Sequence, residues 1–231
     1  MSAAQTPEIT AEQLLRADSL EDVVFTGLDL QGVDLGAREL TGCTFRHCKL
    51  QETRWRGARL DECRFERCDL TRMQPCGMLA HGVRFADCKL MGVEWTDLGQ
   101  FPQLAFADCV LDFASFVGLS LRKTAFIACK IAEANFFDAD LREANFAGSD
   151  LRGSIFRGCK LGKADFSAAT GVFFDPAVNA ARGAVVAIEM AALVAMQAGL
   201  HVAGFTASAP GLPARAGERP AAPGAGQSRR A

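Results

Sequence analysis

The stretch ANFFDADLREANFAGSDLRGSIF, residues 134–156, has a large apolar residue at every fifth position. Those positions are Phe136, Leu141, Phe146, Leu151 and Phe156. A small residue stands two positions before each of them, and the other three positions are mostly polar or Gly. A period of five matches neither the 3.6-residue repeat of a helix nor the two-residue alternation of a strand. It predicts a chain that turns a corner every five residues, with two side chains inward and three outward.

The same spacing runs from Phe25 to Phe166, interrupted by Pro75 and Ala80 and by one extra residue after Trp95. Every fourth member of the series is a phenylalanine: Phe25, Phe45, Phe65, Phe85, Phe106, Phe126, Phe146 and Phe166. These eight side chains are predicted to form one vertical file in the core. Four corners per coil predict an all-β square solenoid of about 20 residues per coil and about seven coils, roughly 34 Å long at a strand spacing of ~4.8 Å.

Two segments depart from the pattern. TRMQPCGMLAHG, residues 71–82, loses the five-residue spacing but keeps the longer phase, which predicts a distorted half-coil. WTDLGQFP, residues 95–102, contains the extra residue and predicts a bulge at a corner. Bulges often mark contact sites, so Phe101 and Pro102 are candidate partner-binding residues.

Runs such as Ala134-Asn135-Phe136 and Ala164-Asp165-Phe166 resemble the A(D/N)(L/F)xx units of pentapeptide-repeat proteins. The resemblance covers residues 22–166. It implies that family's fold, a right-handed quadrilateral β-helix.

The ends of the chain are read as caps. Thr10 and Gln13 form a capping-box pattern that predicts a short helix through about Ala17, within an N-terminal segment of residues 1–21. Residues 167–204 are predicted to cap the last coil with an apolar helix near 184–198, and residues 205–231 to form a disordered Pro/Ala/Gly-rich tail. Because this helix is apolar on more than one face, we expect it to form a homodimer across a two-fold axis. The expected interface residues are Val186, Ile188, Met190, Leu193 and Val194.

The chain has nine cysteines, and eight of them occupy the inward position two residues before a centre. Stacked side chains one strand apart hold their Cβ atoms near ~4.8 Å, beyond the distance a disulfide prefers. Thiolates in a line also cannot converge tetrahedrally on zinc. These cysteines are therefore interpreted as small apolar core residues, and Cys76, outside the pattern, as the one thiol open to modification.

The sequence offers little for catalysis. Its three histidines are isolated, and no phosphate loop, dinucleotide fingerprint or nucleophile elbow is present. A filled solenoid also lacks the concave pocket that a catalytic site needs. We therefore predict that the protein is not an enzyme and binds no metal or cofactor.

Charge points to a protein partner. With 25 Lys+Arg against 27 Asp+Glu, the net charge of −2 gives no bulk attraction to nucleic acid or to acidic membranes. Residues 41–74 are rich in arginine, whereas the following stretches are acidic. The candidate partner-binding carboxylates are Glu94, Asp97, Asp108, Asp112, Asp138, Asp140, Glu143 and Asp150. No secretory signal or membrane span is visible, which favours a cytoplasmic location.

The order of N-terminal helix, F-x-x-C-x-L coils such as Phe45–Leu50, disturbed middle and C-terminal helix resembles the quinolone-resistance (Qnr) and albicidin-resistance members of the family. Those members are dimeric rods that imitate duplex DNA, bind DNA gyrase or topoisomerase IV and shield it from poisons. The resemblance implies the same role here. The alternatives are a structural or scaffolding β-helix that docks an unrelated protein, and an adaptor of a secretion or toxin-immunity system.

Overall fold

The computed structural model describes residues 10–99 and 101–205. Helix α1 spans Ala11–Arg16 and helix α2 spans Ile188–Gln197, with twelve short strands between them. The strands are β1 Ser19–Glu21, β2 Val24–Thr26, β3 Glu39–Thr41, β4 Thr44–Arg46, β5 Arg59–Asp61, β6 Arg64–Glu66, β7 Leu79–His81, β8 Val83–Ala86, β9 Leu104–Ala107, β10 Ala125–Ile127, β11 Asp165–Phe166 and β12 Val185–Val186.

All strand pairs are parallel and join residues one coil apart. Phe25 pairs with Phe45 and Phe45 with Phe65, a register of 20 residues. Single parallel bridges with the same spacing, such as Asp29 with Lys49, close the parts of each coil that have no strand. The predicted solenoid with four faces and about 20 residues per coil is confirmed.

We number the coils from their phenylalanines, so that coil 1 begins at Phe25, coil 5 at Phe106 and coil 8 at Phe166. The four faces are numbered in chain order. Face 1 is centred on the phenylalanine file, face 2 on Leu30 and its equivalents, face 3 on Leu35 and its equivalents, and face 4 on Leu40 and its equivalents. The residues between faces turn the corners in the left-handed region, with φ of 66° at Gly27 and 52° at His47.

The phenylalanine file is present as predicted. All eight rings are buried, and successive rings stack with centroids 4.5 to 5.2 Å apart. A second aromatic file runs beside it at the centre of face 3, through Trp95, Phe116, Phe136 and Phe156. Rings of the two files meet edge to face, as Phe126 and Phe136 do at 90°. The core is therefore continuous along the rod.

The prediction of a distorted half-coil at residues 71–82 is wrong. Gln74 bridges to Arg54 and Ala80 pairs with Leu60, both in the regular register. Pro75 and Ala80 point inward at the centres, where they leave more room than Trp or Leu. The flexible side chains of two buried methionines, Met73 and Met78, occupy the neighbouring inward positions and fill that room.

The extra residue lies within the predicted segment 95–102, but on face 4 of coil 4 and not at a corner: Gly99 donates to Met78 and Gln103 to Ala80, with the extra residue between them. The register changes from 20 between Phe65 and Phe85 to 21 between Phe85 and Phe106. Phe101 takes a left-handed φ of 55° and is 78% exposed. Pro102 is buried, so it is not available to a partner, contrary to the expectation.

The solenoid extends beyond the predicted boundaries of 22 and 166. It begins with β1 at Ser19, and its last pair joins Phe166 to Val186, which gives about eight coils. The last coil lacks the five-residue pattern because Phe174 and Asn179 serve as irregular inward residues. The Asn179 side chain accepts from the amide of Cys159 and donates to the carbonyl of Phe156, as the Ser149 hydroxyl does with Cys129 and Phe126 one coil earlier.

Both ends carry a helix. The capping box at Thr10 and Gln13 is confirmed, and Leu14 of α1 is fully buried against the first coil. At the other end, α2 is shorter than the expected 184–198 and buries Met190 and Ala192. No helix within the described residues is long and apolar enough to cross a bilayer. Residues 1–9 and 206–231, which include nearly all of the expected tail, lie outside the described residues.

Candidate partner-binding surface

The predicted partner-binding residues do not form one surface. Their outward positions divide among the faces. Glu94 is on face 3, with Asp97 and Asp138 at the corner after it; Asp112 and Asp150 are on face 2; Asp140 is on face 4, with Glu143 at the corner after it; and Asp108 is at the corner after face 1. Phe101 is on the insertion of face 4. Only the face 3 group can meet a partner as a unit, together with Glu133 at the adjoining corner.

Three of these carboxylates are already paired within the rod. Arg142 binds Asp140, Arg152 binds Asp150, and Arg122 lies 3.1 Å from Glu143. The hydrogen bonds from Arg142 hold the pKa of Asp140 below its usual value. Among the described residues, no cation lies within ion-pair distance of the others, Glu94, Asp97, Asp108, Asp112 and Asp138, nor of Glu133.

The arginine-rich zone is also largely neutralised by the rod itself. Its guanidinium groups meet carboxylates one coil away, as Arg46 and Glu66 do at 2.8 Å. The same spacing joins Arg54 to Asp34, Arg59 to Glu39, Arg67 to Asp87 and Arg72 to Glu52. Exposed pairs of this kind contribute at most about 1 kcal/mol each. The expected basic zone is thus a set of cross-coil ion pairs.

Face 3 carries large apolar side chains at outward positions in coils 5 to 7. Phe113 is 57% exposed, Ile155 is 55% exposed and Phe137 is 38% exposed. Val117 is half-buried beside them. The sequence contains a signal for this group, since all four residues are out of phase with the inward positions, but the distribution of charge does not reveal them.

The backbone places these residues on adjacent coils. Glu94 bridges to Ser115, Ser115 to Asn135, and Asn135 to Ile155. The amide of Gly118 donates to the carbonyl of Phe137 at 2.9 Å, which brings Val117 and Phe137 onto neighbouring coils. Face 3 of coils 5 to 7 and the corner before it therefore present four apolar side chains on adjacent coils, with Ser115 and Asn135 between Phe113 and Phe137 and with carboxylates in the neighbouring positions.

Asp97 and Asp138 occupy corner positions of this group. The Asp138 carboxylate lies where a Cβ atom at residue 158 would be, and it fits there because residue 158 is glycine. Asp97 accepts a hydrogen bond from the thiol of Cys76 at 3.0 Å. This hydrogen bond raises the pKa of the Cys76 thiol. Cys76 is exposed as predicted, but its thiolate is disfavoured, which lowers its reactivity.

The other eight cysteines are free and buried, which confirms their interpretation as core residues. Seven of their thiols donate to carbonyls of the preceding coil, as Cys68 does to Phe45 at 3.3 Å, whereas Cys129 donates to Ile127 in its own coil. Burial raises the pKa of Cys159 to about 11, so this thiol is protonated at neutral pH. All eight side chains pack in the core.

Two further features lie outside face 3. Asp61, Glu62 and His81 on face 4 bring three ligand atoms within 4.8 Å of one another, but Arg84 lies 3.0 Å from Glu62 and disfavours a cation there. A surface groove of about 660 Å³ lies along face 1, and cross-coil ion pairs cross it. Its lining residues are Arg46, His47, Glu66, Arg67, Ala86, Asp87 and Asp108.

The expected dimer residues differ in exposure. Ile188 is 82% exposed, whereas Val186, Leu193 and Val194 are half-buried against the end of the rod. Met190 is only 3% exposed and packs into the core of its own chain, so its assignment to the interface is wrong. Two exposed apolar residues near α2 were not predicted: Val185 and Leu200.

The structure can be compared with solved relatives. Full-length QnrB1, a plasmid-mediated fluoroquinolone resistance protein, is 20% identical to this chain with a TM-score of 0.52, and the alignment covers 84% of this chain and 95% of QnrB1. HetL, a pentapeptide repeat protein involved in heterocyst differentiation regulation from Nostoc sp. strain PCC 7120, is 19% identical with a TM-score of 0.29, over 72% of this chain and 86% of HetL. The likeness to QnrB1 shows a shared fold. No curated protein sequence matches the chain.

Two family models match the sequence itself. A model described as a pentapeptide repeat region matches residues 99–166, and one described as pentapeptide repeats (8 copies) matches residues 39–72. The first matched segment ends before the coil in which the spacing changes from 20 to 21 residues, and the second begins within that coil. By its five-residue repeat, its stacked coils and these matches, the chain belongs to the pentapeptide-repeat family.

Proposed function

We propose that this protein binds a bacterial type II topoisomerase, DNA gyrase or topoisomerase IV, and protects it from a poison without catalysing a reaction. The observation that carries the proposal is a rod with the fold of QnrB1 whose second half exposes carboxylates that have no cation partner among the described residues. Carboxylates on such a rod can occupy sites on the enzyme that otherwise receive DNA phosphates. A cytoplasmic location follows from the proposal, because the target acts on chromosomal DNA.

The active form is proposed to be a homodimer joined through α2. Ile188, Val185 and Leu200 are large apolar side chains exposed at one end of the rod. Burial of such side chains between two copies would stabilise the dimer. Replacing Ile188 with Glu should halve the mass measured by light scattering, whereas Leu79→Glu, at an exposed apolar position on face 4, should leave it unchanged. An unchanged mass for Ile188→Glu would exclude this interface.

The function is tested by a gyrase supercoiling assay with and without a quinolone or albicidin. We expect micromolar protein to restore supercoiling in the presence of the drug and to bind gyrase without binding duplex DNA. Absence of gyrase binding at micromolar concentration, with no rescue of supercoiling, would contradict the proposal.

The second candidate is a scaffolding rod that docks an unrelated protein. It is favoured by the near-neutral net charge of −2 and by the cross-coil ion pairs that neutralise the first coils. Under this alternative, the exposed group on face 3 would still bind a protein, but gyrase would show no affinity. The gyrase binding assay therefore separates the two.

A further inference from the structure

Face 3 differs between the first and the later coils. In coils 1 to 3 its flanking outward residues are polar or small: Asp34, Arg54 and Gln74 on one side, Gly36, Arg56 and Cys76 on the other. In coils 5 to 7 the equivalent rows and the corner before them contain Phe113, Val117, Phe137 and Ile155. Large apolar side chains grouped on the surface of a rod mark an interaction site more often than scattered ones do.

We propose that this group is a docking surface for a protein segment that carries apolar side chains flanked by lysine or arginine. The patch, here called the face 3 patch, consists of the four apolar residues together with Glu94, Asp97, Glu133 and Asp138. For gyrase as partner, this inference rests on the function proposed above. The proposal that the patch binds such a segment does not depend on gyrase being the partner.

The backbone holds the residues of the patch on adjacent coils. Phe113 donates its amide to the carbonyl of Ala132 and Asn135 donates to Ala114, so coils 5 and 6 are in direct contact across face 3. Ile155 bridges Asn135 on the next coil. The apolar side chains thus lie on three successive coils spaced by about 4.8 Å. An apolar centre with polar edges is the usual arrangement of a protein interface.

The charge at the edges selects a cationic partner. Four carboxylates, Glu94, Asp97, Glu133 and Asp138, have no ion-pair partner within the described part of the chain. One guanidinium, Arg157, is also on this face, so the patch carries a net charge of four negative minus one positive, or −3. Complementary charge at the rim of an interface steers association and suppresses wrong partners.

This charge is too sparse for recognition by charge alone. The patch spreads −3 over four coils, about 14 Å at ~4.8 Å per coil, or roughly one charge per 5 Å. Duplex DNA carries about one charge per 1.7 Å of its axis. A partner that binds this patch must therefore gain affinity from its apolar centre, and its binding should depend less on salt than DNA binding does.

The test uses two probes with the full chain. The first is a synthetic amphipathic peptide of leucine and lysine, with a matched peptide in which glutamate replaces lysine; the second is purified DNA gyrase. We expect the lysine peptide to bind and the glutamate peptide not to bind. Phe113→Ser/Phe137→Ser should weaken lysine-peptide binding at least about tenfold, as expected when the apolar centre of an interface is removed. Leu79→Ser, a change of similar exposure on face 4, should leave it unchanged.

Several outcomes overturn the inference. Peptide affinity of the double variant within about twofold of the unsubstituted protein would do so, as would an equal loss in Leu79→Ser. A lower mass of the double variant in light scattering would show instead that the patch joins two copies of this chain. Circular dichroism must show that each variant is folded.

The gyrase arm separates the two proposals. Loss of gyrase binding in Phe113→Ser/Phe137→Ser supports both the proposed function and the patch as its binding site. Unchanged gyrase binding in that variant overturns the patch as the gyrase site and leaves the proposed function standing. If the unsubstituted protein does not bind gyrase, the proposed function fails, and the peptide results alone decide the patch.

Discussion

Coils 1 to 3 and coils 5 to 7 share one core but have different exteriors. In the first group, arginine and lysine meet carboxylates on the next coil, as Lys49 and Asp29 do at 3.1 Å. In the second group, Arg122 still meets Glu143 on the next coil, but Arg142 and Arg152 bind carboxylates two residues away in their own coil, and several other carboxylates have no cation partner among the described residues. A repeat core can thus be kept while the outward positions specialise, and this difference supports the proposal that the second group recognises the partner.

The largest expected effect tests whether the two groups share a core. Phe65→Ala in coil 3 and Phe126→Ala in coil 6 each remove a fully buried ring from the same file. Each should lower the free energy of unfolding by about 3–5 kcal/mol, measured by urea denaturation. Phe101→Ala, at an exposed ring, serves as the control and should change it little. A loss below about 1 kcal/mol for only one of the two substitutions would show that the core is not continuous.

A smaller effect is expected at the two tryptophans of face 3. Trp55 donates its indole N–H to the hydroxyl of Thr53 at 2.9 Å, whereas Trp95 has Val93 at that position and no acceptor among the described residues. Thr53→Val should therefore destabilise the protein by about 1–3 kcal/mol, and Val93→Thr should stabilise it by about 0.5–1.5 kcal/mol. The melting temperature measures both. The same sign for both substitutions would contradict this account of the two sites.

The cross-coil ion pairs should matter less. Arg59 lies 3.5 Å from Glu39 and both side chains are more than half exposed. Arg59→Ala should lower the unfolding free energy by no more than about 1 kcal/mol, and the loss should shrink at high salt. Gyrase or peptide binding should stay unchanged, since the pair lies on face 4 of the first coils. A clear loss of binding would give the first coils a role in recognition.

The smallest expected effect is at the boundary between the two groups. Asp97 raises the pKa of the Cys76 thiol, so less thiolate is present at a given pH. Asp97→Asn should lower that pKa and speed alkylation of Cys76 at pH 8 by a few-fold, about what a modest gain in thiolate produces. Mass spectrometry of the labelled peptide measures the rate. A slower rate in Asp97→Asn would show that the carboxylate does not suppress this thiol.

Much of the fold followed from particular residues. The eight phenylalanines predicted the coil length because each occupies the same inward position, and the eight buried cysteines followed from the same phase. The last coil could not be predicted, since its expected centres, Gly171 and Pro176, are exposed, and Phe174, two positions before a centre, is buried instead. The packing of Met73 and Met78 around Pro75 could not be predicted either, because it depends on side-chain volume and not on spacing.

The candidate site was only partly predictable. Three carboxylates of face 3, Glu94, Asp97 and Asp138, were among the expected residues, but so were Asp140 and Asp150, which the rod neutralises. With the register known, the outward phase of Phe113 and Phe137 is visible in the sequence, so the apolar centre could have been found. The pairing of Asp140 with Arg142 depends on side-chain conformation, which the spacing does not determine.

The central claim is that coils 4 to 7 of face 3 meet the partner while the first coils do not. Carbodiimide labelling of carboxylates with mass spectrometry, on the free protein and on its complex with gyrase, tests it most directly. The account predicts that Glu94, Asp97, Glu133 and Asp138 lose label in the complex, while Asp34 and Glu39 are labelled equally in both states. Protection of Asp34 and Glu39 with unchanged labelling of the face 3 carboxylates would contradict it.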